Sequence, residues 1–125
     1  MGLRLYLDAE AAQEITEENP DQVRKPVIAG SDWVDERSLW IKSDNPTLTY
    51  ENVVITAQNV PEGVTVQYAL DNAGKAGTYA DSITLPNGKF DPAVRFWRKV
   101  VVPEVNEAQK IVNIKHTRKY DEYVI

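Results

Sequence analysis

Turn-forming residues break this chain at short intervals: Asn45-Pro46, "PEG" (Pro61 to Gly63), "DNAGKAG" (Asp71 to Gly77), "PNG" (Pro86 to Gly88) and Asp91-Pro92. Glycine, proline and asparagine supply the backbone conformations that tight reversals need. The runs between them are rich in Val, Ile, Thr and Tyr: "SLWIKS" (38–43), "TYENVVITA" (49–57), "VTVQYAL" (64–70), "TYADSITL" (78–85), "AVRFWRKVVV" (93–102) and "KIVNIKHT" (110–117). Such side chains suit a pleated, half-buried surface, so these runs read as strands. With one or two more from "LRLYL" (3–7) and "KPVIA" (25–29), the pattern predicts an all-β sandwich of about 7–8 strands.

Alternation of side chains assigns faces within these strands. Val64, Val66, Tyr68 and Leu70 share one side, opposite Thr65, Gln67 and Ala69. Tyr79, Ile83 and Leu85 share a side with Asp81, which belongs at the rim. In the 93–102 run, Val94, Phe96, Val100 and Val102 face one way with Arg98 as the exception, and Arg95, Trp97 and Lys99 line the other. A tryptophan flanked at i±2 by cations suits either intramolecular cation–π cover or a contact surface.

The N-terminal section is less regular. "DAEAAQEITEEN" (Asp8 to Asn19) is compatible with a short helix capped by Asp8 or with a strand at Glu14 to Thr16. The segment Gly30 to Arg37 is polar and places Trp33 in a loop. Residues 1–36 therefore read as an N-terminal arm with the first strands, and 37–125 as the sandwich body, one domain overall for 125 residues.

Charge is uneven: residues 1–63 hold 5 Lys/Arg against 12 Asp/Glu, a net of −7, and residues 64–125 hold 9 against 7, a net of +2. Complementary halves favour head-to-tail contact between copies, or are ordinary solvated charges. An acidic chain without a basic block is a poor partner for nucleic acid. No window approaches the roughly 20 apolar residues of a membrane span, and the start lacks the form of a secretory signal. We expect no membrane partner and no export by its own signal.

Candidate chemistry is sparse. There is no cysteine, hence no disulfide, thiolate ligand or nucleophilic thiol. The single histidine, His116, has no second histidine to share a metal and reads as a surface or structural residue. "GKAG" (Gly74 to Gly77) lacks phosphate-loop spacing. The adjacent pairs Asp35-Glu36 and Glu17-Glu18 sit on segments read as loops, without the enclosure that raises a carboxyl pKa. Asp71 and Asp81 supply too few oxygens for Ca²⁺. The expectation is a non-enzymatic protein without cofactor or metal.

The tryptophans carry what signal remains. Trp40, between Leu39 and Ile41, reads as a core or interface residue; Trp97 as either an interface residue or one packed under a loop; Trp33 as a subunit contact. Arg95, Trp97, Lys99 and Trp33 are the expected partner-binding residues.

Three pieces in order, "LRLYLDAEAAQEIT…NP", "LWIKSDNPTLTYENVVITA" and "ITLPNGKFDPAVRFWRKVVVPE", resemble small immunoglobulin-like accessory proteins encoded among the structural genes of tailed bacteriophages. The middle and end are also similar to immunoglobulin-like modules of bacterial surface proteins. The acidic stretch from Met1 to about Pro26 favours a stand-alone virion protein. The resemblance implies an immunoglobulin-like sandwich in the virion, most of all a capsid decoration protein that binds the major capsid protein, other virion proteins or copies of itself. Two alternatives stay open: a tail, neck or baseplate accessory protein, and a carbohydrate-binding or adhesion module, which requires Trp33, Trp40 and Trp97 on one surface.

Overall fold

A computed structural model describes residues 2–16, 33–58, 60, 64–102 and 115–125. Among them are no helices and eight strands: β1 (Leu3–Tyr6), β2 (Trp33–Ser43), β3 (Leu48–Gln58), β4 (Thr65–Asn72), β5 (Lys75–Ala76), β6 (Ser82–Leu85), β7 (Val94–Val102) and β8 (Lys115–Val124). They form a β-sandwich of two antiparallel sheets, β1-β2-β7-β4-β5 and β6-β3-β8. From β2 onward the chain changes sheet at each connection except the β4–β5 hairpin. The core lies between the sheets and holds Leu39, Ile41, Tyr50 and Ile55 together with the alternating residues Val66, Tyr68, Ile83, Leu85, Phe96 and Val100, whereas Leu70, expected on the same side as Val66 and Tyr68, is 41% exposed. Burying a side chain of this size contributes about 1.5–3 kcal/mol.

Local chemistry explains several details. In β3 the buried residues switch from even positions (Leu48, Tyr50) to odd ones (Val53, Ile55). The switch occurs at a bulge between Glu51 and Val54, where Asn52 adopts a φ of 55°. Asparagine tolerates that region because its short polar side chain bonds locally. Here the Asn52 N–H donates to Asn87 Oδ1 at 3.2 Å and its amide donates to Asp121 at 2.8 Å. The β4–β5 turn places Ala73 and Gly74 at φ 52° and 88°, the paired positive values of a tight hairpin reversal.

At the N-terminus residues 8–16 form no helix, and the expected strand at Glu14 to Thr16 is reduced to an isolated bridge at Glu14. The Asp8 carboxylate accepts from the N–H groups of Ala12 and Gln13, turning the chain back so that Glu14 bridges Tyr6 and Ile15 N–H donates to Leu5. Trp33 is a correction: it opens β2, paired with Val102, rather than lying in a loop. β1 and the first residues of β2 belong to the five-stranded sheet, so position 36/37 falls inside a strand. The C-terminal strand runs to Val124, beyond the predicted end at 117. The strand expected at 25–29 and positions 110–114 lie outside the described residues.

The two sheets are tied at their β1 and β8 edges. Tyr120 Oη accepts from Leu3 N–H at 3.3 Å, and the Arg118 guanidinium donates to the Leu3 carbonyl. Gly2 sits under that tie with φ +128°, and a Cβ there would collide with the Tyr120 hydroxyl. Gly2→Ala is therefore expected to cost roughly 1–3 kcal/mol through overpacking and backbone strain. A thermal melt checks this, and an unchanged melting temperature would show that the edge tie is loose.

Candidate functional site

The outward side of the five-stranded sheet brings most of the singled-out residues together. β7 is its central strand, so Arg95, Trp97 and Lys99 have neighbours on both sides. Trp97 stands opposite Ser38 on β2 and Ala69 on β4, two small residues that leave room for an indole lying across the sheet. Arg95 is opposite Trp40, which is in turn opposite Tyr6 on β1; Lys99 is opposite Glu36 and Gln67.

These side chains are organised by their neighbours. The Arg95 guanidinium lies 5.1 Å from the Trp40 ring centroid and 5.9 Å from that of Trp97. Trp97 Nε1–H donates to Asp71 Oδ1 at 2.9 Å, and Arg95 Nη1 approaches the same oxygen at 4.0 Å. Lys99 Nζ sits 4.4 Å from the Tyr79 ring centroid, and the Tyr79 hydroxyl donates to Glu36 at 2.5 Å. Each cation thus covers an aromatic ring and has a carboxylate in its cluster. Cation–π contacts of this exposure contribute on the order of 0.5–1 kcal/mol each. Beside them lies a shallow depression of about 370 Å³ lined by Leu7, Glu36, Arg37, Ser38, Trp40 and Trp97.

Burial, and then the hydrogen bond to Glu36, push the Tyr79 hydroxyl well above its ordinary pKa of 10.0. The folded state therefore holds this proton more tightly than the unfolded chain. Its contribution to stability is complete below pH 10 and is lost as pH rises beyond that value. In an alkaline absorbance titration, wild type and Tyr79→Phe should coincide up to the point where the protein unfolds. A tyrosinate lost from the folded-state curve in Tyr79→Phe would contradict the shift.

Trp97 is half-buried on the outer side, where it donates to Asp71 and lies beside the Arg95 guanidinium. Trp40 is likewise half-buried there and outside the core. The backbone of Trp33 starts β2 in the same sheet, seven residues from Trp40 and roughly 23 Å along that strand.

Sequence reasoning missed a second cluster, between the sheets. Arg98, fully buried, donates from Nη1 to Asp35 Oδ2 at 2.7 Å and to the Asp35 carbonyl at 2.9 Å. Tyr68, opposite Arg98 on β4, meets His116 Nδ1 through its hydroxyl at 2.5 Å, joining the two sheets. His116 is a buried structural residue of the sandwich. A visible signal existed: Asp35 and Arg37 share parity with Leu39 and Ile41, the core face of β2. Among the described residues no three His, Asp or Glu gather as metal ligands, and no helix is long and apolar enough to cross a membrane. No family model, curated protein or solved structure matches this chain.

Proposed function

We propose that this β-sandwich is a non-enzymatic structural protein of a bacteriophage virion, most of all a capsid decoration protein that docks on the assembled shell. The observation that carries the docking role is the Arg95-Trp97-Lys99 strip, held on the most central strand of the larger sheet by Asp71, Tyr79 and Glu36. Side chains already fixed in place lose little freedom on association, and tryptophan and arginine concentrate interface energy. The virion context rests on the sequence resemblance.

The shell offers many equivalent copies of one surface, so a modest contact per copy is sufficient for decoration. Mass spectrometry of virions purified from cells carrying the gene should find the chain at a fixed ratio to the major capsid protein. Absence from purified particles would remove the virion reading. A chain found with tails rather than empty heads would move it to the tail, neck or baseplate.

A further inference from the structure

We infer that copies of this chain associate head to tail, with the end of β8 in one copy lying along the outer edge of β6 in the next and Val124 covering Leu70. This goes beyond the docking strip, which occupies the outer side of the other sheet, and it does not depend on the virion reading.

The receiving edge follows from the unequal layers. Leu70 stands on the core side of β4, directly opposite the fully buried Phe96, yet it is 41% exposed. Three strands face five, and β6 is the last of the three. Among the described residues no strand pairs with its outer side. Two depressions, of about 470 and 240 Å³, follow that edge and share Leu70 in their lining. β6 adds Ile83 and Thr84 to the first and Leu85 to the second. An extended segment laid beside β6 becomes a fourth strand of the smaller sheet, and its inward side chains close over Leu70, because alternate residues of an added strand face the core.

The chain carries a segment with the matching need. Val124 pairs with the buried Leu48, which puts it on the core side of β8, yet at 80% it is the most exposed large hydrophobic side chain among the described residues. Tyr123 beside it is 49% exposed. β8 is the opposite end strand of the same sheet, and among the described residues it pairs with β3 alone. Since β3 stands between β8 and β6, a copy cannot cover its own Leu70 with Val124, whereas a second copy can, continuing the sheet across the contact. Charge agrees: Glu122 is exposed two residues before Val124, and Lys75 is exposed on β5 opposite Asn72, which lines the larger depression. Two different surfaces meet, so the contact is heterologous and each added copy presents a new edge. One strand edge is a small interface, hence a weak one.

The test is sedimentation velocity on the purified full chain from about 1 μM to about 1 mM, the range of weak association. The weight-average mass should rise with concentration and pass that of a dimer. Leu70→Glu and Val124→Glu should each weaken association tenfold or more while keeping a cooperative melt, since both side chains are exposed; Leu70→Ser replaces Leu70→Glu if the latter melts without cooperativity. Mixing the two variants should restore association but stop it at a dimer, because the β8 end of the Leu70→Glu copy still fits the edge of the Val124→Glu copy. A chain that stays monomeric throughout, undiminished association in either single variant, or no dimer in the mixture would overturn the inference. Association abolished by Trp97→Ala and untouched by Leu70→Glu would assign self-contact to the docking strip and likewise reject it. Loss of particle attachment in Trp97→Ala alone bears on the docking role and leaves this contact standing.

Discussion

Asp35→Ala is expected to destabilise the fold by about 3–5 kcal/mol, a large share of what a domain of this size possesses. Asp35 is 6% exposed and Arg98 is not exposed at all, so the pair lies in the low-dielectric space between the sheets. There the Arg98 guanidinium keeps its charge, and the carboxylate at 2.7 Å compensates the loss of water. Arg37 occupies the position directly opposite Arg98 on β2, so removing the carboxylate leaves two guanidinium residues paired across the ladder. The pair itself is a poor source of net stability, because desolvation offsets most of its attraction. Asp35→Leu combined with Arg98→Met should therefore recover most of the loss. Urea titrations give the answer as a shift of midpoint at constant slope. A cost below about 1 kcal/mol for Asp35→Ala would show that other groups carry Arg98.

Trp97→Ala should weaken attachment to particles by at least roughly 30-fold, the equivalent of about 2 kcal/mol for an interface anchor. Its cost to folding should stay near about 1 kcal/mol, the scale of one lost hydrogen bond, here the one to Asp71. The contrast is with Phe96, the neighbour on the same strand that points between the sheets and is fully buried. Phe96→Ala should cost about 3–5 kcal/mol. Arg95→Ala and Lys99→Ala should act mainly through salt dependence, since exposed ion pairs are worth about 0–1 kcal/mol. A Trp97→Ala protein that melts as low as Phe96→Ala yet still attaches would reject the docking strip.

The tryptophan and its flanking cations were legible because β7 obeys strict alternation through Trp97. Their partners were not. Asp71 and Glu36 reach this face from β4 and β2, and Tyr79 from the connection before β6, at sequence separations that no local pattern encodes. Trp33 was misread for a related reason. Charged residues at Asp35 and Arg37 interrupted the apolar pattern, so β2 looked shorter than its span of Trp33–Ser43.

Turn chemistry and period-two hydrophobicity by themselves determined that this chain is an all-β sandwich, and they separated the core face from the outer face of β4, β6 and β7. Those are properties of neighbouring residues, expressed over a few bonds. The tertiary structure alone decided which strands adjoin, and with them the Arg95–Trp40 stack, the Trp97–Asp71 bond and the Tyr68–His116 contact across the sandwich. It also converted Arg98 from an apparent exception into a paired buried charge. A guanidinium at a core position is tolerable only if a carboxylate from another strand arrives within hydrogen-bond distance, and that is fixed by strand register rather than by the residues on either side.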